Sequence, residues 1–178
     1  VKPSAQPKKN LEQQQASTVE YDIEGLMTDF PTAKFNLDLK SENAIASTID
    51  VVRRLRAQDR VLISSFSEER RKAALVGLPG VATSASAAGL LSVWLAWRFG
   101  AKRRLAELLG AVDALQLPTH RGPIRFDSVN FIREVQKHGV ELHYWTVNDP
   151  RLAQVLRARG ANGLVSDRID NIIVALAE

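Results

Sequence analysis

The 178-residue sequence predicts an α/β fold on a parallel sheet, of the (β/α)-barrel type but with the barrel incomplete. Three observations lead there. Strand-like runs alternate with helix-like runs through six successive steps, the order of βαβ units. Almost every strand finishes in polar residues: Lys40-Ser41, Ser64-Ser65, Thr83-Ser84, Thr119-His120, Asn148-Asp149 and Ser166-Asp167. Parallel sheets take their ligands at those C-terminal ends, whether wound as a barrel or as an open sheet. No glycine-rich GxGxxG or GxxxxGK loop follows a strand, which weighs against the nucleotide-binding open sheet. A whole barrel takes about 250 residues, more than are present.

The elements follow in order. Residues 1–20 are polar, with Pro3, Pro7, Lys8, Lys9 and a glutamine run, and read as a linker or tail. Ile23 to Phe30 reads as a short helix stopped by Pro31. "FNLDLK" is a strand; Ile45, Ile49, Val52 and Leu55 then recur at helical spacing. "RVLISSF" is the next strand, and Ser65-Phe66-Ser67-Glu68 reads as a capping box for "EERRKAALVG". "GVATS" precedes an apolar helix running to about Leu109, with Gly110 as its C-cap. "ALQLP" is a strand, "THRGPIRFD" a loop and "SVNFIREVQKHG" a helix. "VELHYWTV" is the clearest strand; Asp149 at the N-cap and Pro150 at N1 open the helix after it. "GLVS" and "DRIDNIIVALAE" close the chain as strand and helix.

Composition narrows the partners. The formal charge is +4, and the Arg70-Arg71-Lys72 and Lys102-Arg103-Arg104 clusters are not interleaved with aromatics, which argues against nucleic acid. There is no cysteine, so disulfide and thiolate chemistry are excluded. "VKPSAQPKKNLEQQQ" has no apolar core of a secretory signal, and the expected setting is cytoplasmic. Val81 to Gly100 is long enough for a bilayer span but carries four hydroxyl residues. It reads as a buried helix, with a peripheral membrane contact through Trp94 and Trp97 as the alternative.

Chemistry is sought on the strands. In "KFNLDLKSE", Phe35, Leu37 and Leu39 alternate with Asn36, Asp38 and Lys40. If the apolar set meets helices, the polar set faces the barrel interior, with Lys40 nearest the mouth. The alternatives are a structural Asp38–Lys40 ion pair or an exposed edge strand. In "HYWTVND", His143, Trp145 and Val147 share a face; a Trp there packs on a substrate's carbon skeleton or is core. His143 reads as a packing residue and His138 as a cation at a helix end. His120-Arg121 reads as a phosphate contact or plain surface. The three histidines are too dispersed for a metal site or triad to be read locally.

Together, "FNLDLKS", "VLISSF", "HYWTVNDP" and "GANGLVSDRID" resemble, in order and spacing, segments of the glycerophosphodiester phosphodiesterase family. The resemblance implies a TIM barrel that hydrolyses glycerophosphodiesters to glycerol 3-phosphate and an alcohol. It further implies a divalent cation, Mg²⁺ or Ca²⁺, and two histidines as general acid and base. By position Asp38 would be a metal ligand, standing where the family usually has Glu. Lys40 would contact phosphate and Trp145 would line the glycerol side. The family's N-terminal His-Arg-Gly, Glu-(Leu/Phe)-Asp and His-Asp strands do not occur before Phe30, where there is no histidine at all, so no catalytic residue is assigned. The chain resembles the C-terminal two-thirds of such an enzyme, spanning residues 21–178. An open barrel would leave two strand edges and an apolar lumen exposed, favouring self-association. Three readings follow: part of an active phosphodiesterase, an inactive half-barrel that pairs with another chain, or a phosphate-binding scaffold.

Overall fold

The computed structural model describes residues 22–177. The tail read at 1–20 lies outside the described residues. Among the described residues are eight α-helices and eight short strands, and the six strand–helix steps that the sequence predicts are all present. Helix α1 (Ile23–Asp29) is capped by Asp22, whose side chain accepts from the Gly25 amide, and it ends at Phe30 before Pro31. Strand β1 (Phe35–Asp38) leads to α2 (Asn43–Arg54), β2 (Val61–Ser64) to α3 (Glu68–Gly77), and β3 (Ala82–Thr83) to α4 (Ala87–Arg98) and α5 (Lys102–Leu109). Next come β4 (Ala114–Leu117), the hairpin β5 (His120–Arg121) and β6 (Ile124–Arg125), and α6 (Val129–Gln136). Strand β7 (Glu141–Tyr144), α7 (Pro150–Arg159), β8 (Gly163–Leu164) and α8 (Ile169–Ala177) complete the chain.

The sheet is parallel in the order β1-β2-β3 and, separately, β4-β7-β8. A single bridge, Ser84 to Ala114, joins the two halves into one six-stranded wall. The Asp113 carboxylate strengthens that junction by accepting from the Thr83 amide at 2.8 Å. Among the described residues β1 and β8 each pair on one side only, so the described wall has two open edges. This is an unclosed barrel.

Burial alternates along the strands, because successive side chains point to opposite faces. Leu37, Ile63, Leu115, Leu117, Leu142 and Tyr144 pack under the helices. The core divides at the same place as the sheet. One cluster joins Met27, Val52, Ile63, Ala74 and Leu78 from the first three units. The other joins Val93, Leu109, Phe131, Leu142, Leu156 and Ile172 from the rest.

Several local expectations are corrected. The α3 cap is Ser67, accepting from the Arg70 amide at 3.3 Å, and not a Ser65–Glu68 box. Ser65 instead donates to the Leu39 carbonyl at 2.7 Å. The apolar helix is two helices, because Gly100 takes a left-handed φ of 69° between α4 and α5. "THRGPIRFD" holds the β5–β6 hairpin rather than a plain loop. Asp149 and Pro150 start α7 as the sequence predicts, and Gly160 ends it with φ 106°. Trp94 and Trp97 turn inward: Trp97 meets Phe131 edge-on at 5.2 Å, and Trp94 meets Phe126 at 6.5 Å. The Trp94 indole also donates to the Arg125 carbonyl. Among the described residues no helix is long and apolar enough to cross a membrane.

Candidate active site at the barrel mouth

The face of the wall away from the helices carries Asn36 and Asp38 on β1, and Leu62 and Ser64 on β2. Alternation adds Ala82 and Ser84, then Gln116 beside His143 across the β4–β7 ladder. This surface is polar and small-residued, not the apolar lumen expected from an open barrel. Its floor has two buried polar atoms without a partner among the described residues, Ser84 Oγ and Gln116 Nε2. Leaving such a group unpaired costs about 1–3 kcal/mol.

Asp38 and Lys40 are both exposed on this face, and neither enters an ion pair among the described residues. The structural Asp38–Lys40 bridge is therefore not formed. Leu39 between them is buried and its amide donates to the Ser64 carbonyl at 2.8 Å, fixing the alternation to the strand's end. Ser64 Oγ meets Asn36 Oδ1 at 3.2 Å one layer below.

Trp145 is half-buried, its amide donating to the Leu117 carbonyl at 3.1 Å. Its ring meets Phe66 edge-on, with centroids 6.1 Å apart. Carrying the β1–β2 register two residues on sets Lys40 beside Phe66. Phe66 and Trp145 thus meet at the mouth, and that register puts Lys40 on the neighbouring strand end, with Asp38 below. Phe66 was missed by the sequence reasoning, although Leu62, Ser64 and Phe66 keep the two-residue period.

The loops after β7 and β8 are sewn together by Asn148. Its Oδ1 accepts from Ser166 Oγ at 3.0 Å and the Asp167 amide at 2.9 Å, while its amide group donates to the Asp167 carboxylate. Val147, assigned by alternation to the Trp145 face, is buried in the core instead. The ladder ends at Tyr144, and the two-residue period ends with it.

The histidines do not converge. His143 lies on the interior face with Nε2 at 2.8 Å from Glu141 Oε2, low on the wall. His120 sits on the exposed hairpin, its Nδ1 at 3.1 Å from Thr119 Oγ1. His138 follows α6 at the surface. Among the described residues no group of three His, Asp or Glu side chains gathers closely enough to hold a metal. Asp38 has no second carboxylate beside it, so the described residues alone do not make a divalent-cation site. A cleft of about 240 Å³ lined by Glu68, Arg71, Ser86 and Gly89 lies where α3 meets α4. There Arg71 grips Glu68 at 2.7 and 3.0 Å and holds its carboxyl down at about 2 against the opposing effect of burial.

Comparison with known proteins fits this frame. The profile of the glycerophosphoryl diester phosphodiesterase family matches residues 33–171. A Mycobacterium tuberculosis (strain ATCC 25618 / H37Rv) protein named "Probable glycerophosphodiester phosphodiesterase 2" is 32% identical over 160 residues, 88% of this chain and 61% of that protein. An Oleispira antarctica phosphodiesterase, solved with the product sn-glycerol-3-phosphate, superposes with a TM-score of 0.63 at 25% identity, over 82% of this chain and 56% of that one. A glycerophosphodiester phosphodiesterase from Parabacteroides distasonis ATCC 8503 shares the fold, with a TM-score of 0.62 at 17% identity, over 86% and 63%. The chain thus spans less than two thirds of the length of these relatives. Its unclosed wall of parallel strands matches part of their barrels, and the chain belongs to the glycerophosphoryl diester phosphodiesterase family.

Proposed function

We propose that residues 21–178 form the C-terminal portion of a phosphodiesterase barrel, preceded by a polar tail at 1–20. The reaction is hydrolysis of glycerophosphodiesters to glycerol 3-phosphate and an alcohol. The carrying observation is at the mouth: Phe66 and Trp145 meet edge-on at the ends of β2 and β7, and Lys40, with no ion-pair partner among the described residues, ends the neighbouring strand β1. An ammonium in that position stabilises charge on phosphoryl oxygens. The Trp145 ring offers an apolar wall to the glycerol carbons. The unpaired Ser84 hydroxyl and Gln116 amide on the floor suit hydroxyl groups. Asp38 would contribute one oxygen toward Mg²⁺ or Ca²⁺, the remaining ligands coming from outside the described residues.

Proton transfer needs a general acid and base within reach of the phosphoryl group. His143 is paired to Glu141 and His120 and His138 stand elsewhere, so we assign no catalytic residue here. The chain alone is expected to release no measurable glycerol 3-phosphate from glycerophosphocholine, yet to gain thermal stability from added glycerol 3-phosphate. Lys40→Ala should remove that gain. An unchanged melting temperature in the parent chain would refute the ligand site.

The two open edges favour a second reading, in which another chain covers them. Ile169, Ile173 and Val174 of α8 are exposed next to the β8 edge and extend that uncovered surface. Sedimentation of the same samples should show concentration-dependent oligomers; a monomer at all concentrations would remove this reading.

A further inference from the structure

We propose that the outer face of α4, with the α4–α5 corner, docks on an anionic lipid bilayer surface. Helix α4 is apolar nearly all round. Its inner face carries Leu90, Val93, Trp94 and Trp97 into the core. Its outer face carries Leu91, Leu95 and, at the C-cap, Phe99, which are 45%, 40% and 77% exposed. These three stand four residues apart and form one stripe along the helix. A helix that is apolar on every side is normally buried on every side.

Closing the barrel would not cover this stripe. Added strands join at β1 or β8, whereas α4 and α5 connect β3 to β4 at the centre of the six-strand wall. In this they differ from the exposed α8 residues, which flank an open edge. The stripe needs a partner of another kind, and the charges around it say which. Arg98, Lys102, Arg103 and Arg104 are all exposed at the corner that Phe99 and Gly100 make. Two carboxylates stand near these cations: Glu107 is taken by Arg103 at 3.1 Å and Arg104 at 3.4 Å, and Glu134, which also feels Lys102, is bonded to Lys137 at 2.7 Å. Arg98 and Lys102 enter no ion pair among the described residues. An aromatic tip ringed by cations fits the interface of a membrane rich in acidic headgroups: the apolar stripe enters the acyl boundary and the ammonium and guanidinium groups stay at headgroup level. The inward-turned Trp94 and Trp97 take no part.

The test is co-sedimentation of the 178-residue chain with large unilamellar vesicles. Phosphatidylcholine alone should bind little; phosphatidylcholine mixed with phosphatidylglycerol should bind well, with steep weakening by salt. Phe99→Ser, and separately the pair Arg98→Gln and Lys102→Gln, should each cut partitioning by about fivefold or more. Ile173→Ser on α8 should leave it unchanged. All four positions are exposed, and an unchanged far-UV circular dichroism spectrum checks the fold. Absence of binding to the mixed vesicles would overturn the proposal. Full binding by the Phe99 and double variants would overturn it as well, by assigning the lipid contact to another surface. Retention on nucleic acid in place of vesicles would do the same. The readout is partitioning, so its failure leaves the phosphodiesterase reading untouched.

Discussion

Replacing Asp127 tests which of two arginines holds the end of the hairpin to the helices. Asp127 is 3% exposed, at the entry to α6. Arg125 grips it with two parallel bonds of 3.1 and 2.8 Å. Arg159, from the end of α7, reaches one carboxylate oxygen at 2.6 Å and the Asp127 carbonyl at 3.1 Å. Burial works to raise the carboxyl's pKa, but the bonds and charge of Arg125, followed by those of Arg159, outweigh it and hold the group below the usual aspartate range. Bidentate geometry favours Arg125 as the stronger partner. Exposure argues the reverse: the Arg125 side chain is 70% exposed and Arg159 33%. The Arg125 pair is also local and can persist in the unfolded chain, whereas Arg159 closes a separation of 32 residues. A charge-assisted bond to a buried carboxylate contributes about 1.5–3 kcal/mol, and an exposed pair about 0.2–1 kcal/mol. Asp127→Ala should therefore cost about 2–4 kcal/mol. A double-mutant cycle with Arg159→Ala should give a coupling of about 1.5–3 kcal/mol, and one with Arg125→Ala a clearly smaller coupling. Urea unfolding of the four variants of each cycle at pH 7 measures both. An Arg125 coupling equal to or above that of Arg159 would refute the argument from exposure and locality.

Glu68 supplies a pH dependence. Its carboxyl is lowered from 4.5 to about 2, so its contribution is complete above the ordinary glutamate value and is lost as the pH falls from there toward 2. The side chain is 37% exposed, and screening reduces the contribution to about 1–2 kcal/mol. Glu68→Gln should flatten the stability profile between pH 5 and pH 2; profiles of equal slope would contradict the assignment. At Gly77 an added Cβ would run into Ile49, approaching its Cγ1 to 2.8 Å. Gly77→Ala should cost about 1–3 kcal/mol in urea unfolding despite alanine's better helix propensity, and an unchanged midpoint would show that α2 and α3 have room to part.

The βα order was legible because strands and helices here carry clean periods and their caps are local, as Asp149-Pro150 and Gly160 show. The interior face of β1 was legible for the same reason. Junctions were not. The apolar run ends at Gly100, but helical spacing resumes beyond it with Leu105, Leu108 and Leu109, so one helix was read where two exist. Ser65 and Ser67 are both competent caps, and the Leu39 carbonyl, 26 residues away, decides between them by taking the Ser65 hydroxyl. The site divides similarly. Asp38, Lys40 and Trp145 could be placed on strand ends, but Phe66 against Trp145 is a contact across two intervening strands. The Asn148 bonds depend on a loop 18 and 19 residues on, for which no local pattern exists.

The junction of β3 with β4 has a mechanical consequence. The core divides and the ladder narrows to a single bridge at this line, which hydrogen bonds through Thr83, Ala85 and Asp113 hold, and it lies opposite the space between the β1 and β8 edges. A wall thinned there is a clamshell with its hinge at Ser84 and Ala114. A rotation about that line would leave the packing within each cluster intact, and the two free edges, farthest from the pivot, would travel most. Strands that would complete the barrel thus meet an opening whose width adjusts without unpacking either half. The amides of Ala85 and Asp113, which bond across the junction, are the places where hydrogen exchange would register that motion first.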